Sequence, residues 1–243
     1  MPGVNVSRVR AIAVASLMTA LVFVVTASFT VYIPETRGYF NLGEAAVYIS
    51  ALLLPPPWAA LAGGVGSMLA DVALGYLHYA PATLVIKGCE GLVASFLLRR
   101  RPRGALAESK ALGVAASLPL PILLALLGSL FYTGTVELAL ALPLTPIAST
   151  GVGRIVGGVW VAAAAALAAY IVYANLRGLG TAWTIFSLTS AGIVMVAGYF
   201  IYEQGVLGVA AVAEVPFNLM QALVGVTVAL MCERPLRPVA LRS

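Results

Sequence analysis

The feature that most constrains this chain is a succession of apolar runs, each close to the length that crosses a lipid bilayer. A helix needs about 20 apolar residues to span roughly 30 Å of hydrocarbon. Along the 243 residues there are eight apolar segments: Ala11–Ile33, Gly43–Leu54, Trp58–Tyr76, Pro81–Leu98, Ala111–Phe131, Val152–Ala174, Thr181–Tyr202 and Gly208–Cys232. They predict an all-α integral membrane protein, a polytopic bundle of about eight transmembrane helices that forms a single transmembrane domain over residues 1–243.

The amino-acid composition excludes a soluble domain. Hydrophobic residues make up 61% of the chain and charged residues 9%, against roughly 25% charged residues in soluble domains. The net charge of +5 does not indicate nucleic-acid binding, because the basic residues lie mainly between or beyond the apolar runs, where they set membrane topology. We therefore predict a multi-pass protein of the cell membrane, surrounded by the lipid bilayer, with no nucleic-acid partner.

The lysines and arginines predict how the chain is oriented. If the N-terminus is cytoplasmic and eight spans follow, eleven basic residues fall on the cytoplasmic side: Arg8, Arg10, Arg99, Arg100, Arg101, Arg103, Lys110, Arg177, Arg234, Arg237 and Arg242. Only Arg37 and Arg154 fall on the outer side, and Lys87 lies within a span. Since cytoplasmic loops carry the excess of basic residues, both termini are predicted to be cytoplasmic. Six spans are the alternative, because prolines interrupt the section after Arg103, and they leave this orientation unchanged.

The chain lacks the residue patterns of common membrane enzymes. His78 is its one histidine, so it has no HExxH-type set of zinc ligands. Cys89 and Cys232 stand alone in apolar segments and indicate neither a disulfide framework nor a metal site. A GxxxxGK[ST] phosphate-binding loop is also absent from the sequence, so ATP-driven transport would need partner subunits. We predict no enzyme activity, no metal and no cofactor.

Several charged and amide side chains fall inside the apolar segments. A charge at the centre of a span costs about 2.5–3.5 kcal/mol on insertion scales, so such residues usually face a partner or a cavity. Counted from the predicted outer ends, six of them on three helices reach depths of about 7–20 Å: Asp71, Lys87, Glu90, Glu214, Asn218 and Gln221. Their shared depth predicts a polar pocket open to the outside. A buried ion pair of Lys87 with Asp71 or Glu90, and interhelical hydrogen bonds of the two amides, are the alternatives.

Aromatic residues in the predicted outer connections would cover such a pocket. They are Tyr39 and Phe40 in the first connection, Tyr76, His78 and Tyr79 in the second, and Tyr199 and Tyr202 beside Glu203 in the third. Aromatic walls with a few placed polar groups suit a flat, hydrogen-bonding small molecule. The predicted substrate-binding set also includes Asn41 and Glu44. Glu44 has the alternative role of stabilising a helix N-terminus, and the tyrosines that of an interfacial belt.

The first apolar segment carries small residues at four-residue spacing. Ala11, Ala15 and Thr19 form one row, and Ser16 and Ala20 form the neighbouring row. Small residues at this spacing let a second helix approach closely. The first row therefore predicts a contact surface for another helix, with packing inside the bundle as the alternative.

Four stretches of the chain resemble the substrate-binding S components of energy-coupling factor (ECF) transporters. They occur in the family's order: YFNLGEAAVYISALLLPPPWAALAGGVGSMLADVALGY (Tyr39–Tyr76), APATLVIKGCEG (Ala80–Gly91), GYFIYE (Gly198–Glu203) and EVPFNLMQALVG (Glu214–Gly225). The resemblance covers about the first 100 and the last 60 residues. Members of this family usually have six helices, so the section 104–180 is predicted to be an insertion that carries two extra spans.

The resemblance implies a high-affinity membrane subunit for uptake of a vitamin or vitamin precursor. In that family the subunit docks onto a transmembrane coupling subunit driven by two cytoplasmic ATPases, through small residues of its first helix, here Ala11 and Ala15. Pyrimidine precursors of thiamine, vitamin B6 forms and flavins all offer planar rings with polar edges, and the sequence does not choose among them. The alternative is a self-sufficient ion-coupled secondary transporter or channel, in which Asp71, Glu90 and Glu214 would carry protons or cations.

Overall fold

The computed structural model describes residues 6–33, 36, 38–140, 148–179, 181–236 and 238–240. Three basic residues used above to predict orientation lie outside these ranges: Arg37, Arg237 and Arg242. The elements of the described residues are α1 (Val6–Ser28), β1 (Phe29–Ile33), β2 (Gly38–Asn41), α2 (Gly43–Leu53), α3 (Pro56–Leu74), α4 (Ala80–Arg99), α5 (Ala105–Glu108), α6 (Lys110–Ser117), α7 (Pro119–Phe131), β3 (Thr135–Leu140), β4 (Ala148–Arg154), α8 (Gly157–Arg177), α9 (Ala182–Leu207), a 3₁₀ helix (Gly208–Ala213) and α10 (Val215–Leu236).

Seven stretches of the described chain are helical, long and apolar enough to cross a membrane: Val9–Ser28, Pro56–Leu74, Ala80–Arg99, Lys110–Phe131, Gly157–Arg177, Ala182–Ala213 and Val215–Leu236. They confirm the prediction of an all-α, polytopic membrane protein. The eighth predicted segment forms α2, whose 11 residues are shorter than the other helices. It is also the best sheltered element, since Ala46, Val47, Tyr48 and Ser50 are all buried.

Glycine and proline set the helix boundaries. The run Pro55–Pro57 separates α2 from α3, and α3 begins at Pro56, because proline fits the first turn of a helix but does not continue one. Gly75 ends α3 with a φ of 88°, a left-handed conformation that glycine adopts without steric cost. The chain then reverses within residues 76–79 and enters α4. This turn brings its aromatic residues beside β2, where the Tyr39 and Tyr76 rings lie 4.5 Å apart between centroids.

The opposite end of the bundle collects the basic residues. Here the Ser95 hydroxyl donates to the carbonyl of Leu54 at 2.6 Å, and the Trp183 indole donates to the carbonyl of Leu97 at 2.7 Å. These bonds join the end of α2, the end of α4 and the start of α9. The described basic residues at the helix ends and connections on this side are Arg8, Arg10, Arg99, Arg100, Arg101, Arg103, Lys110, Arg177 and Arg234. This asymmetry is the one that the positive-inside rule associates with the cytoplasmic face.

A four-stranded antiparallel sheet covers the other end. Its strand order is β2-β1-β3-β4, so β1 pairs on one side with β2 and on the other with β3. Val31 lies opposite Phe40 in the first pairing and opposite Leu138 in the second. The sequence analysis predicted no sheet and assigned residues 29–33 to the first transmembrane segment. The sheet links the segment before α2 to the hairpin of the section 104–180.

The α3–α4 pair packs with almost no side chain between the two backbones. A Cβ atom on Gly64 would lie 2.6 Å from the carbonyl oxygen of Leu84, and one on Gly91 would lie 2.6 Å from that of Ala59. Real Cβ atoms do not approach backbone oxygens so closely, and glycine is what lets the two helices touch.

We therefore expect Gly64→Ala to destabilise the fold by about 1–3 kcal/mol, the usual cost of overpacking. The measurement is the thermal unfolding midpoint of the detergent-purified protein. Gly158→Ala is the matched control, because a Cβ there meets no atom within 4 Å. Equal unfolding midpoints for the two variants would show that α3 and α4 do not pack at this distance.

Candidate functional site

A polar cavity lies beneath the sheet and the turn 76–79. Seven elements or their ends supply its lining: Thr26, Gly38, Tyr39, Asn41, Gly43, Ser67, Asp71, Tyr79, Thr83, Lys87, Tyr199, Glu203, Glu214, Asn218 and Gln221. The cavity measures about 40 Å³, which admits water but not a ring system. A vitamin-sized ligand therefore requires the lining side chains or the covering loops to move apart.

Nine of the thirteen side chains predicted to bind substrate line this one cavity: Tyr39, Asn41, Asp71, Lys87, Tyr199, Glu203, Glu214, Asn218 and Gln221. They come from β2, α3, α4, α9 and the start of α10. The structure thus brings together the three helices whose polar residues were predicted to lie at a shared depth. Phe40, Glu44, His78 and Glu90 do not line the cavity.

Glu44 and Glu90 lie behind the cavity and hold Lys87. The Lys87 ammonium forms an ion pair with Glu44 and another with Glu90, whose Oε2 is 3.3 Å from Nζ. All three side chains are at least nine-tenths buried. Lys87 also lies 5.4 Å from the centre of the Tyr199 ring. The Lys87–Glu90 ion pair, which was the alternative to a substrate contact, is present, and Glu44 rather than Asp71 is the second partner of Lys87.

Asp71 instead belongs to a network of hydroxyl groups. The Tyr39 hydroxyl donates to Asp71 Oδ1 at 2.6 Å. Thr83 lies beside the same carboxyl group, and its Oγ1 accepts a hydrogen bond from the Tyr199 hydroxyl at 3.0 Å. The network links β2, α3, α4 and α9, so it fixes the relative positions of four elements around the cavity.

Glu214, Asn218 and Gln221 present one face of α10 and its N-terminus to the cavity. Their spacing of four and then three residues predicts this common face, and all three are buried. Gln221 Nε2 donates to Asn218 Oδ1 at 3.2 Å, and the Glu214 carboxyl group accepts from the Thr36 hydroxyl. This second bond ties the turn between β1 and β2 to the cavity floor.

Five rings form a row above the cavity, defined here as the aromatic row: Tyr39, Tyr76, His78, Tyr79 and Tyr202. Successive ring centroids are 4.5, 6.5, 4.6 and 5.7 Å apart. Burial, and next the charge of Asp71, raises the pKa of Tyr39 well above its ordinary value. Burial also raises the pKa of Tyr76 to about 12. Both hydroxyl groups therefore stay protonated donors at physiological pH.

Phe40 and His78 lie next to lining residues in the sequence but do not line the cavity themselves. Successive side chains of a strand point to opposite faces, so Tyr39 and Asn41 face the cavity while Phe40 packs against the apolar core. His78 is exposed and stacks between Tyr76 and Tyr79. Its role here is to extend the aromatic row.

The sequence analysis missed small polar lining residues: Thr26, Ser67 and Thr83. Single hydroxyls are common in membrane helices, where they bond to their own backbone, and nothing in the pattern distinguished these three. Six polar atoms of the lining are buried and have no hydrogen-bond partner among the described residues: Thr26 Oγ1, Asp71 Oδ2, Tyr79 Oη, Glu203 Oε2, Asn218 Nδ2 and Gln221 Oε1. Because buried polar atoms are normally bonded, these six atoms are candidates for ligand contacts.

The first helix presents a different row to the surface from the one predicted for docking. Ala15 is 1% exposed and belongs to the core, and Ala11 is half-buried. Ser16 and Ala20, on the adjacent row, are exposed. A Cβ atom on Gly66 of α3 would lie 2.7 Å from the carbonyl oxygen of Thr19. Ala15 and Thr19 therefore contribute to packing inside the bundle, which was the alternative interpretation, and docking through Ala11 and Ala15 stays a prediction.

Gly38 allows the close approach of β2 to the cavity floor. A Cβ atom at this position would lie 2.8 Å from the carboxyl carbon of Glu214. We expect Gly38→Ala to displace the Glu214 side chain and to weaken ligand binding about tenfold, equivalent to about 1.4 kcal/mol. Isothermal titration of the purified protein checks this, with Gly205→Ala as control because no atom lies within 4 Å of a Cβ there. Equal affinities for the two variants would contradict the role given to Glu214.

The fold and the cavity together define a class: a polytopic helical membrane protein that holds a small polar binding cavity near one face. The sequence model of the family described as "ECF-type riboflavin transporter, S component" matches residues 6–177, well over half of the chain. The protein therefore belongs to this family of S components, and the resemblance stated above is confirmed. Its members are membrane-embedded components of vitamin uptake. The match runs through most of the section 104–180, whose status as an insertion stays a prediction.

Two relatives match parts of the chain. A protein of Pyrococcus woesei described as "Uncharacterized protein in gap 3'region" is 44% identical over 75 residues, 31% of this chain and 50% of that protein. The thiamine precursor transporter HmpT of Lactococcus lactis subsp. cremoris (strain MG1363) is 30% identical over 87 residues, 35% of this chain and 52% of that protein. The chain thus spans about half the length of each relative. No solved structure matches it significantly.

Proposed function

We propose that the chain is the high-affinity binding subunit for uptake of a vitamin or vitamin precursor with a planar heterocyclic ring. The observation that carries this proposal is the buried polar cavity beneath the aromatic row. Three tyrosines, Tyr39, Tyr79 and Tyr199, contribute to its lining. Flat aromatic surfaces and a few fixed polar groups are what recognises a heterocycle with a polar edge.

The comparisons support a heterocycle and name two different ones. The matched family is described by riboflavin and the Lactococcus relative by a thiamine precursor. Both molecules, like the vitamin B6 forms, are planar rings with hydrogen-bonding edges. The ligand of this chain is proposed to come from the same chemical group.

We further infer that transport is driven by separate subunits: a transmembrane coupling subunit and two cytoplasmic ATPases. The sequence has no GxxxxGK[ST] loop with which to bind ATP phosphates. The exposed surface of α1 that includes Ser16 and Ala20 offers small side chains for close helix contact. A binding subunit of this kind holds its ligand tightly and does not accumulate it alone.

Reconstitution of the full chain into liposomes tests this division of labour. Labelled riboflavin, hydroxymethylpyrimidine and pyridoxine are added outside, first with no gradient and then with an imposed proton or sodium gradient. We expect saturable binding of one ligand and no accumulation under either condition. Gradient-driven accumulation would contradict the proposal and establish the ion-coupled transporter.

A further inference from the structure

We infer that the cavity selects a heterocycle bearing an amino group, which donates N–H bonds and, in an aliphatic amine, also carries positive charge, over a ring of the same shape that lacks the amine. This inference rests on the proposed function and concerns the same cavity. It follows from the balance of acidic and basic groups around the cavity, the neutral character of their partners, and one amide oxygen left without a donor.

The first observation concerns the ion-pair partners of Lys87. Lys87 is the one basic side chain among the described lining residues, which include three carboxyl groups. Glu44 and Glu90, which do not line the cavity, both form ion pairs with it. The lysine is therefore already matched by two buried carboxylates behind the wall, and it does not neutralise the carboxyl groups inside.

The second observation concerns the partners of Asp71 and Glu203. The Tyr39 hydroxyl donates to Asp71 and Thr83 adjoins the same carboxyl group. Glu203 adjoins Asn218 and lies near a second carboxyl group, that of Glu214. Each of these donors is uncharged. Both acidic side chains are 3% exposed, and a charged ligand group bonded to either of them would stabilise its ionised form.

The third observation is the Gln221 amide. Its nitrogen donates to Asn218 Oδ1, which leaves its carbonyl oxygen buried and without a partner among the described residues. Gln221 is 4% exposed and lines the cavity. This oxygen accepts only a donor that a ligand brings. Asp71 Oδ2 and Glu203 Oε2 are likewise buried and unpartnered among the described residues, against one unpartnered amide donor, Asn218 Nδ2. These unpartnered acceptors outnumber that donor, which suits a ligand with an N–H edge.

The inference is tested with pairs of ligands that differ in one group. Pyridoxamine and pyridoxine differ by an amine in place of a hydroxyl, and 4-amino-5-hydroxymethyl-2-methylpyrimidine is paired with its 4-hydroxy counterpart. Binding of each, and of riboflavin as a neutral tricyclic ring, is measured by titration calorimetry on the purified full chain. We expect the amino member of at least one pair to bind more than about tenfold tighter than its partner.

Variants assign the preference to the named side chains. Glu203→Gln and Asp71→Asn keep the size of each side chain, and each should reduce the ratio of affinities within a pair to about twofold or less. Glu108→Gln is the control, since Glu108 is exposed at the basic end beside Arg101. A preference that survives in both cavity variants would overturn the role of these two carboxyl groups.

The outcomes separate this inference from the proposed function. If riboflavin or a hydroxyl member binds as tightly as every amino member, the preference for an amine is wrong and the vitamin-binding role stands. If no heterocycle of the panel binds to the folded protein, both are wrong.

Discussion

Replacing Lys87 with methionine is expected to destabilise the protein by about 3–5 kcal/mol, the cost of leaving a buried charge uncompensated. The substitution would leave Glu44 and Glu90, 1% and 0% exposed, facing each other inside the bundle. Glu44 packs against Gly225 of α10, and Glu90 lies beside the Tyr48 hydroxyl, so neighbouring groups confine both side chains. Thermal and denaturant unfolding in detergent measure the loss.

The chain provides a matched control for this substitution. Lys110 is the other of its two lysines and is exposed, so Lys110→Met should change stability by less than about 0.5 kcal/mol. Lys87→Met combined with Glu44→Gln and Glu90→Gln should regain much of the lost stability, because it removes the uncompensated charges. A Lys87→Met variant as stable as Lys110→Met would show that the ion-pair cluster does not exist.

The second large effect is expected on ligand affinity. Gln221→Ala removes the unpartnered carbonyl oxygen of the cavity together with the donor to Asn218. A ligand donor buried without its acceptor loses about 1–3 kcal/mol, which corresponds to a weakening of about 5- to 150-fold. Equilibrium binding of the ligand identified for the wild-type protein measures it.

Gln204→Ala is the control for that experiment. Gln204 and Gln221 are the two glutamines of the chain, and Gln204 lies exposed next to Glu203. We expect its substitution to leave both affinity and stability unchanged. If Gln221→Ala binds as tightly as Gln204→Ala, the cavity floor is not the ligand site.

The bundle could be predicted from the sequence because its signal is summed over long segments. Each helix is specified by about 20 apolar residues, and single exceptions do not change the assignment. The short helix α2 was harder to place, since its 11 residues are below the spanning length. Its burial against neighbouring helices stabilises it inside the bundle, and those helices are distant in sequence.

The sheet could not be predicted, because β1 continues an apolar segment and one of its partners is distant in sequence. Residues Phe29–Ile33 continue the apolar run of the first segment, so hydropathy alone extends the helix through them. The stretch is rich in β-branched and aromatic residues, which favour strands. Of its two pairing partners, β2 follows closely, but β3 lies about a hundred residues further on. No short-range pattern reveals a pairing of that range.

The predicted depth in the membrane identified the polar residues of the cavity, but it did not identify their hydrogen-bond and ion-pair partners. Helical spacing predicted the shared face of Glu214, Asn218 and Gln221. The alternative interpretation of Lys87 included its ion pair with Glu90, which the structure contains. It did not predict that Glu44 reaches Lys87, because this contact depends on how α2 packs against α4. The same holds for Asp71, whose bond to Tyr39 depends on the position of β2.

The central claim is that this cavity binds a vitamin-like heterocycle. Its most direct test is mass spectrometry of the small molecules released on denaturing the full chain, purified in mild detergent from cells grown in medium rich in vitamins and their precursors. We predict one planar heterocycle in near-stoichiometric amount from the wild-type protein and much less from Gln221→Ala. Folded wild-type protein that releases no heterocycle above the level of Gln221→Ala would contradict the claim.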